Sequence, residues 1–165
     1  MGASRVRSAL GSGLFFAAAP GVVAGLVPWL LTGWETGATR PLLQVVGALL
    51  IVAGAIVLVD AFVRFVVEGI GTPAPIAPTQ RLVVGGLYRH VRNPMYLAVG
   101  TTIVGQALLL GRGILLLYAA AFAVTVLAFV KGYEEPTLAE QFGADYAAYR
   151  RAVPGWWPRL RPWRG

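Results

Sequence analysis

The chain has no cysteine and a single histidine among its 165 residues. The first absence excludes disulfides and a thiol nucleophile and leaves the redox compartment open. The second excludes a His-rich metal site and leaves His90 as the one imidazole. Charge is also scarce, at 13% of residues, and acids are scarcest, with 7 Asp and Glu against 14 Lys and Arg. Apolar residues are what the chain has in excess: 57% are hydrophobic, mean hydropathy is +0.68, and they fall in long runs. Such runs point to a small all-α integral membrane protein forming one domain over residues 1–165. The net charge of +7 would suggest nucleic acid in a soluble protein. In a membrane protein it reports cytoplasmic loops facing anionic lipid, and no nucleic-acid partner is expected.

Four spans are expected, at about 10–31, 42–67, 94–110 and 114–131, near the ~20 residues a spanning helix needs. The first follows Arg5 and Arg7 and contains Ala17, Ala18 and Ala19, so it resembles a signal peptide. Its apolar run continues past the alanines, which favours a span. Pro20 would loosen it locally, Gly21 and Gly25 form a GxxxG step, and Trp29 and Trp34 fall where an interfacial aromatic belt lies. Near the end of the second run, Asp60, Arg64 and Glu68 stack on one helix face. They are either a self-neutralised ladder at the membrane boundary or the polar wall of a site. Pro73, Pro75 and Pro78 then forbid regular helix and predict a stiff connector. Only Gly111-Arg112-Gly113 separates the last two runs, which predicts a tight antiparallel hairpin.

Beyond Lys131, Glu134-Glu135-Pro136 reads as a helix start, with acids near the positive end of the dipole. Leu138, Phe142, Tyr146 and Tyr149 recur at helical spacing, so a C-terminal amphipathic helix is expected on the cytoplasmic side, with Gly143 weakening it only slightly. The tail from Trp156 to Arg164 alternates aromatic and basic residues, a composition suited to the headgroup layer. Arg5, Arg7, Arg81, Arg89, Arg92, Lys131 and the basic tail share one side of a four-span arrangement. The positive-inside rule makes that side cytoplasmic and holds both termini there. A bacterial inner membrane is the expected location. The basic stretch Gly86–Tyr96 and the Glu134–Glu135 pair then enter from one face, at the two cytoplasmic ends of one hairpin, and should lie close in space.

That constellation joins donors (Arg89, His90, Arg92, Asn93), phenols (Tyr88, Tyr96) and carboxylates (Glu134, Glu135). It suits a zwitterionic small molecule, or contact with lipid headgroups. The order Gly86-Leu-Tyr-Arg-His-Val-Arg-Asn-Pro-Met-Tyr96, a hairpin, then Glu134-Glu135, Leu138, Phe142-Gly143, Tyr146, Tyr149 and Val153-Pro154 resembles the isoprenylcysteine carboxyl methyltransferases. That superfamily of membrane enzymes also includes phospholipid methyltransferases. The resemblance covers roughly residues 80–158. It implies S-adenosylmethionine as cofactor, covered by the segment 132–165, and a lipid-like or amphiphilic methyl acceptor. Cofactor contacts carried over by the resemblance fall on Gln80, Arg81, Leu82, Val83, Tyr88, Asn93, Pro94, Met95, Tyr96 and Glu134, with Arg89, His90 and Arg92 as donors of the same pocket.

Two positions depart from the family pattern. Asn93-Pro94 stands where His-Pro is usual, and asparagine can carry no charge. Val130 stands where the eukaryotic enzymes place a basic residue that holds the acceptor's carboxylate. Methyl transfer from a sulfonium is an in-line displacement, in which positioning supplies most of the catalysis. A carboxylate acceptor needs no base, whereas an amine must lose a proton, for which Glu134 and Glu135 are the candidate catalytic groups. An NADPH-dependent membrane reductase of the sterol reductase type and a non-catalytic membrane scaffold are the alternatives.

Overall fold

The computed structural model describes residues 18–69 and 81–165, and every regular element among them is helical. α1 spans Ala18–Thr32, α2 Pro41–Gly69, α3 Pro94–Leu110, α4 Ile114–Phe129 and α5 Glu135–Ala152, with a 3-10 turn at Gly86–Arg89. Two helices are long and apolar enough to cross a membrane: α2, with mean hydropathy 2.8 over Pro41–Arg64, and the helix that begins at Ile114, with 2.3. α1 and α3 are shorter apolar helices. The apolar runs read at 42–67 and 94–110 coincide with α2 and α3. Residues 10–17 of the first run and the Pro73–Pro78 connector lie outside the described residues.

Proline and glycine set the boundaries. Pro41 and Pro94 occupy the first position of α2 and α3, where a missing N–H costs nothing. Gly111 closes α3 in the left-handed region at φ 62°, and α4 begins three residues later, which is the tight hairpin. α2 and α3 then pack backbone to backbone. A Cβ on Gly47 would lie 2.5 Å from the Gly105 carbonyl, and one on Gly105 would lie 2.8 Å from the Gly47 carbonyl. Only glycine permits that approach, which exchanges side-chain packing for direct helix contact. The outward face of α2, including Leu42, Leu49, Val52, Ile56 and Val63, is exposed, as a lipid-facing helix surface would be.

α1 contains a π turn at Val22–Leu26, in which the Val27 N–H bonds back to the Val22 carbonyl. The turn frees the Val23 carbonyl, and Pro28, lacking an N–H, frees that of Ala24. Both orphans are satisfied from the hairpin: Tyr118 donates to Val23 O at 2.7 Å, and Gln106 donates to Ala24 O at 2.6 Å. Away from water an unpaired carbonyl is costly, so these two polar side chains tie α1 to α3 and α4.

Two local expectations are corrected. Glu134-Glu135-Pro136 does not start a separate helix, because α4 runs on through a second π turn, Val130–Glu134, into α5. Gly143 does more than weaken α5: with φ 51° and ψ −119° it breaks the helical path.

Candidate active site

The stretch Gly86–Tyr96 is held against the C-terminal tail. Backbone pairs run from Arg92 N to Pro154 O (2.9 Å), Arg159 N to His90 O (2.9 Å) and Trp163 N to Arg89 O (3.0 Å). Side chains repeat the pattern. Arg89 Nε donates to the Trp163 carbonyl at 2.7 Å, and Asn93 Nδ2 donates to the Gly155 carbonyl at 3.1 Å. His90 Nδ1 lies 2.8 Å from the Arg159 carbonyl. A carbonyl only accepts, so Nδ1 is the donor in this contact. Arg92 is the centre of this fastening. Its Nε donates to Val153 O at 3.0 Å, and its Nη1 reaches Glu135 Oε1 at 2.6 Å and the Tyr146 hydroxyl at 3.1 Å.

The second π turn positions the acidic pair. Each residue advances less around a π turn than around an α turn, so two successive side chains, Glu134 and Glu135, both face inward beyond buried Val130. Their environments differ. Glu135 is committed to ion pairs with Arg92 at 2.6 Å and Arg150 at 3.0 Å. Glu134 accepts a hydrogen bond from the Tyr96 hydroxyl at 2.9 Å and has no ion-pair partner among the described residues. It lies past Lys131, outside the apolar part of its helix. Burial pushes its carboxyl above the usual range; the Tyr96 hydrogen bond opposes that shift, the Glu135 charge adds to it, and the nearby Arg92 charge opposes it. Burial also holds the Tyr88 phenol well above its ordinary value, so it stays a neutral group.

Two cavities meet at Glu134. One, of about 170 Å³, opens among the apolar helices, lined by Ala19, Pro20, Val23, Leu58, Met95, Val99 and Phe122 beside Tyr96 and Glu134. The other, of about 70 Å³, lies against α5 among Leu82, Val83, Val130, Leu138, Tyr146 and Tyr149. Tyr88, Arg92, Asn93 and Glu134 border both. Tyr149 fixes this partition by donating to the Tyr88 carbonyl at 2.7 Å.

The residues expected from sequence divide accordingly. Leu82, Val83, Tyr88, Arg92, Asn93, Pro94, Met95, Tyr96, Glu134 and Glu135 border one cavity or both. Arg89 and His90 face a different groove, exposed Arg81 borders neither cavity, and Gln80 lies outside the described residues. Sequence reasoning missed Phe122, a residue of an unpatterned apolar run. It read Tyr146 and Tyr149 as an amphipathic face, where their hydroxyls also serve as polar partners. The tail carbonyls carry no side-chain signal at all.

Among the described residues the protein is thus an all-helical bundle with two helices long and apolar enough to cross a membrane, and a carboxylate, Glu134, at the junction of two cavities. The family model described as phospholipid methyltransferase matches residues 42–145, more than half of the chain. The chain belongs to that family, and membership indicates a methyltransferase acting on lipid-like substrates. The match takes in α2 from Leu42 onward, which the resemblance read from the sequence did not cover. No curated protein and no solved structure matches the chain.

Proposed function

We propose that the protein is a four-span membrane enzyme that methylates an amine nitrogen on a lipid-like acceptor at the cytoplasmic face, with S-adenosylmethionine as methyl donor. The observation that carries this reading is Glu134, a largely buried carboxylate that accepts from a phenol and belongs to no ion pair among the described residues, at the junction of two cavities. Such a group is costly unless its ligand is cationic, as a sulfonium and an ammonium both are. The donor set therefore fits the methyl donor. Leu82, Val83, Tyr88, Asn93 and Glu134 would hold it against α5, and when bound it supplies an electrophilic methyl group on a sulfonium sulfur.

The chain's own groups then account for the rest. Glu134, its basicity raised by burial, holds the acceptor ammonium and takes its proton, while the Tyr96 hydroxyl fixes the orientation of the carboxylate. The apolar chamber excludes water from the acceptor nitrogen. Arg92, the cation nearest the site, is engaged by Glu135, Tyr146 and the Val153 carbonyl, and Glu134 would repel a carboxylate acceptor. Both facts favour an amine. Glu135 serves as the anchor of Arg92 rather than as a second base. The excess of arginine at one end of the helices supports cytoplasmic termini.

Calorimetric titration of the detergent-purified protein with S-adenosylhomocysteine tests this reading. Binding is expected in the wild type and should be lost in Glu134→Ala. No binding at millimolar ligand, or binding of NADPH in its place, overturns it.

A further inference from the structure

A second pair of cavities lies beside α2 and shares only Pro94 with those that meet at Glu134. One is an open groove of about 750 Å³ bordered by Asp60, Arg64, Glu68, Arg89 and His90. The other is an apolar furrow of about 290 Å³ along Ala53, Gly54, Leu97, Ala98 and Thr101. They meet at Val57, Leu87 and His90, so one continuous depression passes from charged to apolar.

The charges within it are only partly spent. Glu68 accepts from the Gly85 N–H at 2.8 Å and holds Arg64 through a long contact of 3.4 Å, which leaves the Arg64 side chain 48% exposed. Asp60 has no ion-pair partner among the described residues. Arg89 commits its Nε to the Trp163 carbonyl. Two carboxylates and two guanidiniums share one groove, so an anion alone would face the carboxylates and a cation alone the guanidiniums. A zwitterion satisfies both. Asp60 and Arg64 lie one helical turn apart, about 6 Å along the axis, a spacing within reach of a phosphate and an ammonium on one headgroup. The uncharged run of α2 ends at Val59, so the groove begins where headgroups lie and the furrow runs back into apolar depth.

We infer that this depression binds one zwitterionic glycerophospholipid, its phosphate at Arg64 and Arg89, its ammonium at Asp60, and an acyl chain along Ala53, Gly54 and Ala98. The inference rests on the membrane reading above but not on methyl transfer. Native mass spectrometry of the full chain in detergent, titrated with palmitoyl-oleoyl phosphatidylcholine and with the phosphatidylglycerol of the same chains, tests it. The choline lipid should bind at least about tenfold more tightly, the worth of one or two charge-assisted contacts. Asp60→Asn with Arg64→Gln should erase that preference. Ala53→Phe, at an exposed position, should weaken both lipids by filling the furrow, and none of these changes should alter S-adenosylhomocysteine affinity. Glu134→Ala should lose the homocysteine derivative and keep the lipid, so the two readings fail separately. Equal binding of the two lipids by the wild type, unchanged choline-lipid binding in the groove variants, or loss of S-adenosylhomocysteine from them overturns the inference.

Discussion

Glu134 and Glu135 are adjacent in sequence and opposite in role. Glu135 is ion-paired with Arg92 and Arg150; Glu134 accepts from the Tyr96 phenol and is in no ion pair among the described residues. Because the fold raises the Glu134 pKa, it favours the protonated form. The stability attached to this group is therefore greatest below the unfolded value and declines as pH rises through the folded value. Glu134→Gln cannot titrate. It should melt higher than the wild type at alkaline pH, with the difference shrinking toward acid pH, in a thermal scan in detergent. The same substitution should lower methyl transfer by roughly a hundredfold to ten-thousandfold, the usual worth of a general base. Wild-type activity should rise with pH along a limb that the variant lacks. Asn93 shows how a departure from family pattern acquires a physical role. Its amide is buried and donates to the Gly155 carbonyl, a contact that needs no charge.

The helices are shaped by what their backbones lack. Pro28 and the first π turn leave two carbonyls in α1 that Gln106 and Tyr118 satisfy. Gln106→Leu should therefore destabilise the protein by about 1–3 kcal/mol, the cost of an unpaired buried acceptor. Tyr118→Phe should act in the same direction, both read as the midpoint of thermal unfolding. At the α2–α3 contact, Gly47→Leu has no room beside the Gly105 carbonyl. It should cost about 1–3 kcal/mol as overpacking, measured the same way. Helix existence and the hairpin were legible, because apolar run length and Gly/Pro punctuation encode them locally. The π turn before Glu135 and the break at Gly143 were not, since each depends on how α5 and the tail dock against Gly86–Asn93.

At the scale of the molecule, the candidate site occupies one end of the α3–α4 hairpin. The other end is closed by Arg112, which donates from Nε to the Glu35 carbonyl at 3.0 Å and pairs loosely with its carboxylate at 3.4 Å. Arg112→Ala should leave S-adenosylhomocysteine affinity unchanged in the same calorimetric titration, while Arg92→Ala should weaken it by freeing the tail from Val153 onward.

The sequence by itself determined that this chain is helical and rich enough in apolar residues to span a membrane. It also placed the basic stretch and the acidic pair at the two ends of one helical hairpin, because run length and turn residues act locally. Only the tertiary structure decided which acid is ion-paired and which accepts from a phenol, and that Arg89, His90 and Arg92 fasten the tail. Those outcomes depend on backbone carbonyls supplied from tens of residues away, for which no side-chain pattern exists to be read.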